Sequence, residues 1–191
     1  MGTFKTLHTL PLTDVKRIHQ PELPRDLELS SPASKALMDF DYTAPPLLER
    51  NTGIAEALML MDREHVSLKL VINIDEQLKG IITRRDLMSS RLMEVAVAMG
   101  KVRQDLTVGD VMTACSALQG VRHDQVLHAT VGRILQTMER LGQDYLMVIA
   151  NDGVSLQGLL DARQIARRLH VDYQNKVQAQ SFAEICEALL H

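Results

Sequence analysis

The sequence predicts a mixed α/β (α+β) protein made of two successive β-α-β-β-α units, and three observations lead there. The first is an internal repeat: Asn73 and Gly80, each beside a short apolar run, match Asn151 and Gly158 at a common offset of 78 residues. The second is a shared helical stripe. Ile54, Ala57, Leu58 and Met61 stand at i, i+3, i+4 and i+7, and Val131, Ile134, Leu135 and Met138 repeat them at an offset of 77. The third is a pair of hairpin signals, since 68–72 and 145–149 are apolar runs too short for a stable helix and each ends in a polar turn. Upstream, Met38 matches Met112 at an offset of 74, so the copies drift apart only in their entry segments.

Taken in order, residues 1–33 form an N-terminal arm broken by Pro11, Pro21, Pro24 and Pro32. The first unit spans 34–105. Its first helix carries the Ile54 stripe, a strand at 68–72 turns through 73–77 into a strand at 78–83, and a second helix begins near Arg84. Met88, Leu92, Val95 and Met99 predict that this helix continues as one apolar stripe to a cap at Gly100. The second unit, 106–172, repeats the plan with strands at 145–149 and 156–160 and a helix from Ala162. Residues 173–191 predict a final amphipathic helix with Phe182, Ile185, Cys186, Leu189 and Leu190 on one face. A unit this short has a thin core: its own helices can cover one face of its sheet, and a sibling unit can complete the burial.

Charge and composition narrow the function. A net charge of −3 without any Lys/Arg block argues against broad binding to nucleic acid or an acidic membrane surface. No apolar run approaches the ~20 residues of a membrane span. The N-terminus lacks the charged and apolar regions of a secretory signal, so a cytoplasmic protein is expected. Cys115 and Cys186 are too few for a disulfide framework or a cysteine zinc site. The histidines show no metal-ligand spacing and no nucleophile has a recognisable base, so neither a metal site nor a catalytic residue is expected. Arg167 and Arg168, near the end of a helix, are read as favouring its dipole and nothing more.

The informative segment is Gly80-Ile81-Ile82-Thr83-Arg84-Arg85-Asp86, which carries a strand into a helix. Thr83 with Asp86 three residues on forms a capping box, a complete structural account worth ~1 kcal/mol. A functional account uses the same residues differently. Unpaired helix-start amides with Arg84 and Arg85 suit phosphate oxygens, and Asp86 turned outward would accept from ribose hydroxyls.

The repeated unit resembles the cystathionine-β-synthase (CBS) domain, as a tandem pair (Bateman module) over roughly residues 34–170. Val-Gly-Asp-Val-Met-Thr at 108–113, introducing the second copy, and the Gly80–Asp86 segment, closing the first, carry the likeness. The family's ligand motif, G-h-x-T/S-x-x-D/N, is matched by Gly80, Thr83 and Asp86. The resemblance implies a pseudo-twofold pair of units, a homodimer and an adenine nucleotide (AMP, ADP or ATP) held between the units. It implies a regulatory, energy-sensing role exerted on a protein partner in trans, with no cofactor required and no catalysis. Arg84 and Arg85 would join the ligand site, and the segment Tyr42, Thr43, Ala44 and Pro45 would enclose the base through its backbone amides.

The second copy departs from this motif, with Asp161 in place of the threonine and Gln164 in place of the aspartate. A carboxylate at the phosphate end repels an anion, so at most one competent site per chain is expected, at the first copy. Two rivals belong to other classes: a dimerisation or scaffold protein in which Thr83 and Asp86 only cap a helix, and, more weakly, a small enzyme acting on the nucleotide.

Overall fold

Residues 27–170 are described by a computed structural model. In chain order they contain β1 (Met38–Asp39), β2 (Leu47–Glu49), α1 (Ile54–Glu64), β3 (Leu68–Ile72), β4 (Leu78–Thr83), α2 (Arg84–Met88), α3 (Arg91–Met99) and α4 (Val108–Val111). The second half contains β5 (Thr113–Ala114), β6 (Gly120–Arg122), α5 (His123–Leu127), α6 (Val131–Leu141), β7 (Tyr145–Ile149), β8 (Leu156–Asp161) and α7 (Ala162–Arg168). The two hairpins form as their patterns predict, and both are irregular at the same place, between Val71 and Ile72 and between Val148 and Ile149. Such matched irregularities are the structural counterpart of the repeat. The final amphipathic helix expected at 173–191 and most of the N-terminal arm lie outside the described residues. No helix among those described is long and apolar enough to cross a membrane.

The strands assemble into two four-stranded sheets, ordered β2-β3-β4-β5 and β1-β8-β7-β6. The sheets exchange their outer strands. β1, from the entry to the first repeat, pairs with β8 of the second, Asp39 standing opposite Gly158. β5, from the entry to the second repeat, pairs with β4 of the first, Ala114 standing opposite Gly80. A Cβ on Gly158 would lie 2.6 Å from the Met38 carbonyl oxygen, and one on Gly80 would collide with the Thr113 carbonyl oxygen. The two motif glycines are thus demanded by a neighbouring backbone, which accounts for Gly80 without a ligand.

Alternation along the strands divides the apolar side chains between three cores. Val71 and Ile82 join Ala57, Met61 and Leu92 beneath the helices of the first unit. Val148 and Leu160 join Ile134, Leu135 and Met138 in the second, where Leu27 and Ala33 of the arm also pack. The opposite sheet faces meet each other: Leu68, Leu70 and Ile81 pack against Tyr145, Met147 and Leu159. This shared layer joins the units and frames the clefts on either side. Lys69 takes a helix-side position with only 3% exposure, its Nζ donating to Glu64 Oε2 at 2.6 Å and to the Leu47 carbonyl at 3.3 Å.

One element departs from its pattern. The single helix expected from Arg84 to Gly100 is broken at Ser89 and Ser90 into α2 and α3. Both the amide and the hydroxyl of Ser89 donate to the Asp86 carbonyl, and that local bonding ends the first helix. The break rotates the stripe: Leu87, Leu92 and Ala96 are buried, while Met88 and Met99 face outward. Gly100 caps α3 in the left-handed conformation, φ 63°, as its placement predicts.

Candidate functional site: two unequal clefts between the units

Two depressions flank the shared layer, and the repeat relates them. One, of 660 Å³, is walled by the Leu159, Asp161, Arg163 and Gln164 end of the second hairpin. Met38 and Pro46 form its rim, and the segment from Met61 to Leu68 closes it from the first unit, together with Arg84. The other, of 200 Å³, is walled by the counterpart positions Ile81, Thr83, Arg85 and Asp86. Thr113 and Leu118 take the rim and Gly142 to Tyr145 the far side. Each cleft thus joins the motif end of one hairpin to the strand entry of the other.

Strand exchange parts residues that the sequence reading placed together. Gly80, Thr83, Arg85 and Asp86 belong to the small cleft or its wall. The segment 42–45 follows β1, which lies in the other sheet, and its flanking residues Met38 and Pro46 line the large cleft. The Tyr42 and Thr43 amides both donate to the Asp39 carbonyl, at 3.2 and 2.9 Å, which occupies two of the amides expected to meet a base. Tyr42, Thr43 and Ala44 are exposed, and Pro45 is half-buried. The two neighbouring arginines also diverge: Arg84 faces the large cleft and forms an ion pair with Asp62, while Arg85 faces the small one.

Asp86 does not turn outward as expected for a ribose partner. Its Oδ2 accepts from the Thr83 amide at 3.0 Å and the Thr83 hydroxyl at 2.6 Å, while the Asp86 amide donates to Thr83 Oγ1 at 3.2 Å. The capping box is complete. Its helix, α2, is only five residues long.

Asp161, at the position of Thr83, caps α7 in turn: Oδ1 accepts from the Arg163 amide at 2.8 Å and the Gln164 amide at 3.4 Å. Burial pushes its carboxyl above the ordinary aspartate range, partly offset by those two amides and by Arg163 and Arg167. A raised folded-state pKa favours the protonated fold, so this group's contribution to stability is present at low pH and lost as pH rises through the raised value. Asp161→Asn retains a capping oxygen and removes the titration. Wild type should therefore gain on Asp161→Asn in melting temperature as pH is lowered from 7 to 4, in paired thermal melts.

Charge distinguishes the clefts further. The large cleft sets Arg84, Arg163 and Arg167 against Asp62 and Asp161, a cationic excess among its Arg and Asp side chains. The small cleft sets Arg85 alone against Asp86 and Asp144, an anionic excess. Sequence reasoning missed the large cleft because it discounted the second copy and assigned Arg167 to a helix dipole. The offset of 78 carries Arg85 onto Arg163 and was the signal available to find it.

Comparison with known proteins accords with this architecture. Residues 39–92 match the family model described as CBS domain. No curated protein matches the chain. Among solved structures, an uncharacterised conserved protein of Pyrococcus horikoshii superposes with a TM-score of 0.55 at 16% identity, covering 78% of this chain and 99% of its own. CBSX2, of Arabidopsis thaliana, in complex with AMP gives 0.51 at 19% identity, covering 72% and 94%. A hemolysin-like protein containing a CBS domain, from Oenococcus oeni PSU, gives 0.51 at 15%, covering 76% and 92%. At these identities the likeness establishes the fold.

Proposed function

We propose, for a chain with a CBS domain in its first repeat and the fold of a tandem CBS pair, that it is a regulatory module whose large cleft takes an adenine nucleotide. The observation that carries this reading is the cationic cleft of 660 Å³ between the units, within the about 300–1,000 Å³ typical of small-molecule sites. The 200 Å³ motif cleft falls below that range and is anionic. Arg167 supplies charge for phosphate, beside Arg84 and Arg163 with their Asp62 and Asp144 carboxylates, and the Met38 and Pro46 rim supplies apolar surface for a base. Both units line the cleft, so a ligand there favours one relative arrangement of them, by its difference in affinity for the two. A protein partner acting in trans would read that arrangement. The AMP named with CBSX2 supports the choice of ligand class.

Calorimetry with AMP, ADP, ATP and adenosine on wild type, Arg167→Ala and Asp86→Ala tests the reading. One phosphorylated ligand per chain should bind, more tightly than adenosine. Arg167→Ala should weaken it by roughly 10- to 150-fold, the equivalent of the ~1.5–3 kcal/mol of a charged hydrogen bond, and Asp86→Ala should leave it within twofold. Loss in Asp86→Ala with normal binding in Arg167→Ala would move the site to the small cleft.

The scaffold reading draws on a specific observation too: the completed Thr83–Asp86 capping box and the exposed Met88, Met93 and Val97 suit a homodimer without ligand. A flat thermal-shift response to all four ligands, with a dimer by light scattering, would favour it.

A further inference from the structure

The repeat allows each position in one cleft to be read against its equivalent in the other. At an offset of 77, Ser67 of the large cleft becomes Asp144 of the small one. The backbone supports this equivalence independently: the Ser67 carbonyl accepts from the Arg84 amide and the Asp144 carbonyl from the Ala162 amide, both at 2.9 Å. The side chains differ in charge. Ser67 Oγ accepts from the Tyr145 hydroxyl at 3.4 Å. Asp144 Oδ2 lies 3.5 Å from Arg85 Nη1 and 4.0 Å from Arg163 Nη2. Those two arginines are themselves counterparts, 78 residues apart. The Asp144 carboxylate therefore stands between two repeat-related guanidinium groups, whereas its counterpart Ser67 is uncharged.

We infer that the Asp144 carboxylate is the built-in occupant of an anion position between Arg85 and Arg163, closing the motif-bearing cleft to phosphate. Guanidinium groups bind a carboxylate and a phosphate through the same donors, so a resident carboxylate competes directly with a ligand's anionic group. Asp144 also gives the small cleft its anionic excess; without it, Arg85 and Asp86 balance. Occupation of this position explains why a cleft carrying Thr83 and Asp86 is the one poorly suited to a nucleotide. That Asp144 thereby directs an anionic ligand to the large cleft rests on the nucleotide reading above; the occupation of the anion position does not.

Inorganic phosphate is the probe, because it tests the anion position without requiring space for a nucleotide. Full-length wild type, Asp144→Ser (the counterpart residue) and Asp144→Asn (equal in size, without charge) are titrated with phosphate at constant ionic strength by calorimetry. Circular dichroism melts verify each fold. Both variants should gain one phosphate per chain over wild type, and Arg85→Ala added to either should remove the gain. Equal phosphate stoichiometry in wild type and in both folded variants would overturn the inference. A gain in Asp144→Ser without one in Asp144→Asn would also overturn it, by making bulk and not charge the obstacle. A wild type that ignores AMP while the variants gain phosphate would refute the nucleotide reading and leave this inference standing.

Discussion

Gly80→Val should lower the melting temperature by about 10 °C, the scale of a severe overpacking penalty near 3 kcal/mol in a chain of this size. Gly80 sits inside β4 with Ala114 as its cross-strand partner. A Cβ there would collide with the Thr113 carbonyl oxygen and lie 3.0 Å from the Ala114 Cα, both backbone atoms that no rotamer change can remove. Relief requires β5 to leave the sheet, which exposes the edge of β4 and takes Thr113 from the rim of the small cleft. Gly158→Val repeats the fault on the other side, where the obstructing Met38 belongs to the large cleft. The second substitution should therefore weaken nucleotide binding beyond its effect on stability. Gly53→Ala is the control, because a Cβ there meets nothing within 4 Å and φ is −68°. Circular dichroism melts of the three variants separate a glycine required by crossing strands from one that is merely tolerated.

Leu160→Ala should cost about 2–5 kcal/mol, the range for a buried leucine truncated to a methyl group. Leu160 is fully buried in the second core with Leu146, Val148 and Ile165. The loss should not stay there. Each sheet includes a strand from ahead of the other repeat, and Leu68, Leu70 and Ile81 share a layer with Tyr145, Met147 and Leu159. Neither unit can open while leaving the other's sheet and inner face covered. Leu160→Ala should thus melt in one transition, with hydrogen-exchange protection falling in β3 and β4 together with β7 and β8. Two separated transitions, or a loss of protection confined to the second unit, would contradict the interlocked architecture.

Much of this architecture is legible in the sequence because it is repeated and periodic. Ile54 to Met61 and Val131 to Met138 carry the 3.6-residue pattern of helices covering a sheet, and the hairpin runs carry polar turns at matching places. The capping box at Thr83 and Asp86 is equally local, four residues whose bonds close within one turn. The break at Ser89 is harder to read. Met88, Leu92, Val95 and Met99 satisfy a helical stripe by spacing, whereas the structure buries Leu87, Leu92 and Ala96 once a serine has bonded back to Asp86. Periodicity cannot register such a break, because the residues on both sides remain helical.

By itself, the sequence determined the repeated unit, its hairpins and helices, and the residues that cap them, since each depends on interactions within a few positions of the chain. Tertiary structure alone decided which entry segment joins which sheet, and with it the composition of the clefts. Residues 42–45 parted from Asp86, Arg84 from its neighbour Arg85, and Asp144 came to stand between Arg85 and Arg163. The physical reason is strand exchange: pairing β1 with β8 and β5 with β4 places side chains by contacts far apart in the chain, which no local periodicity encodes.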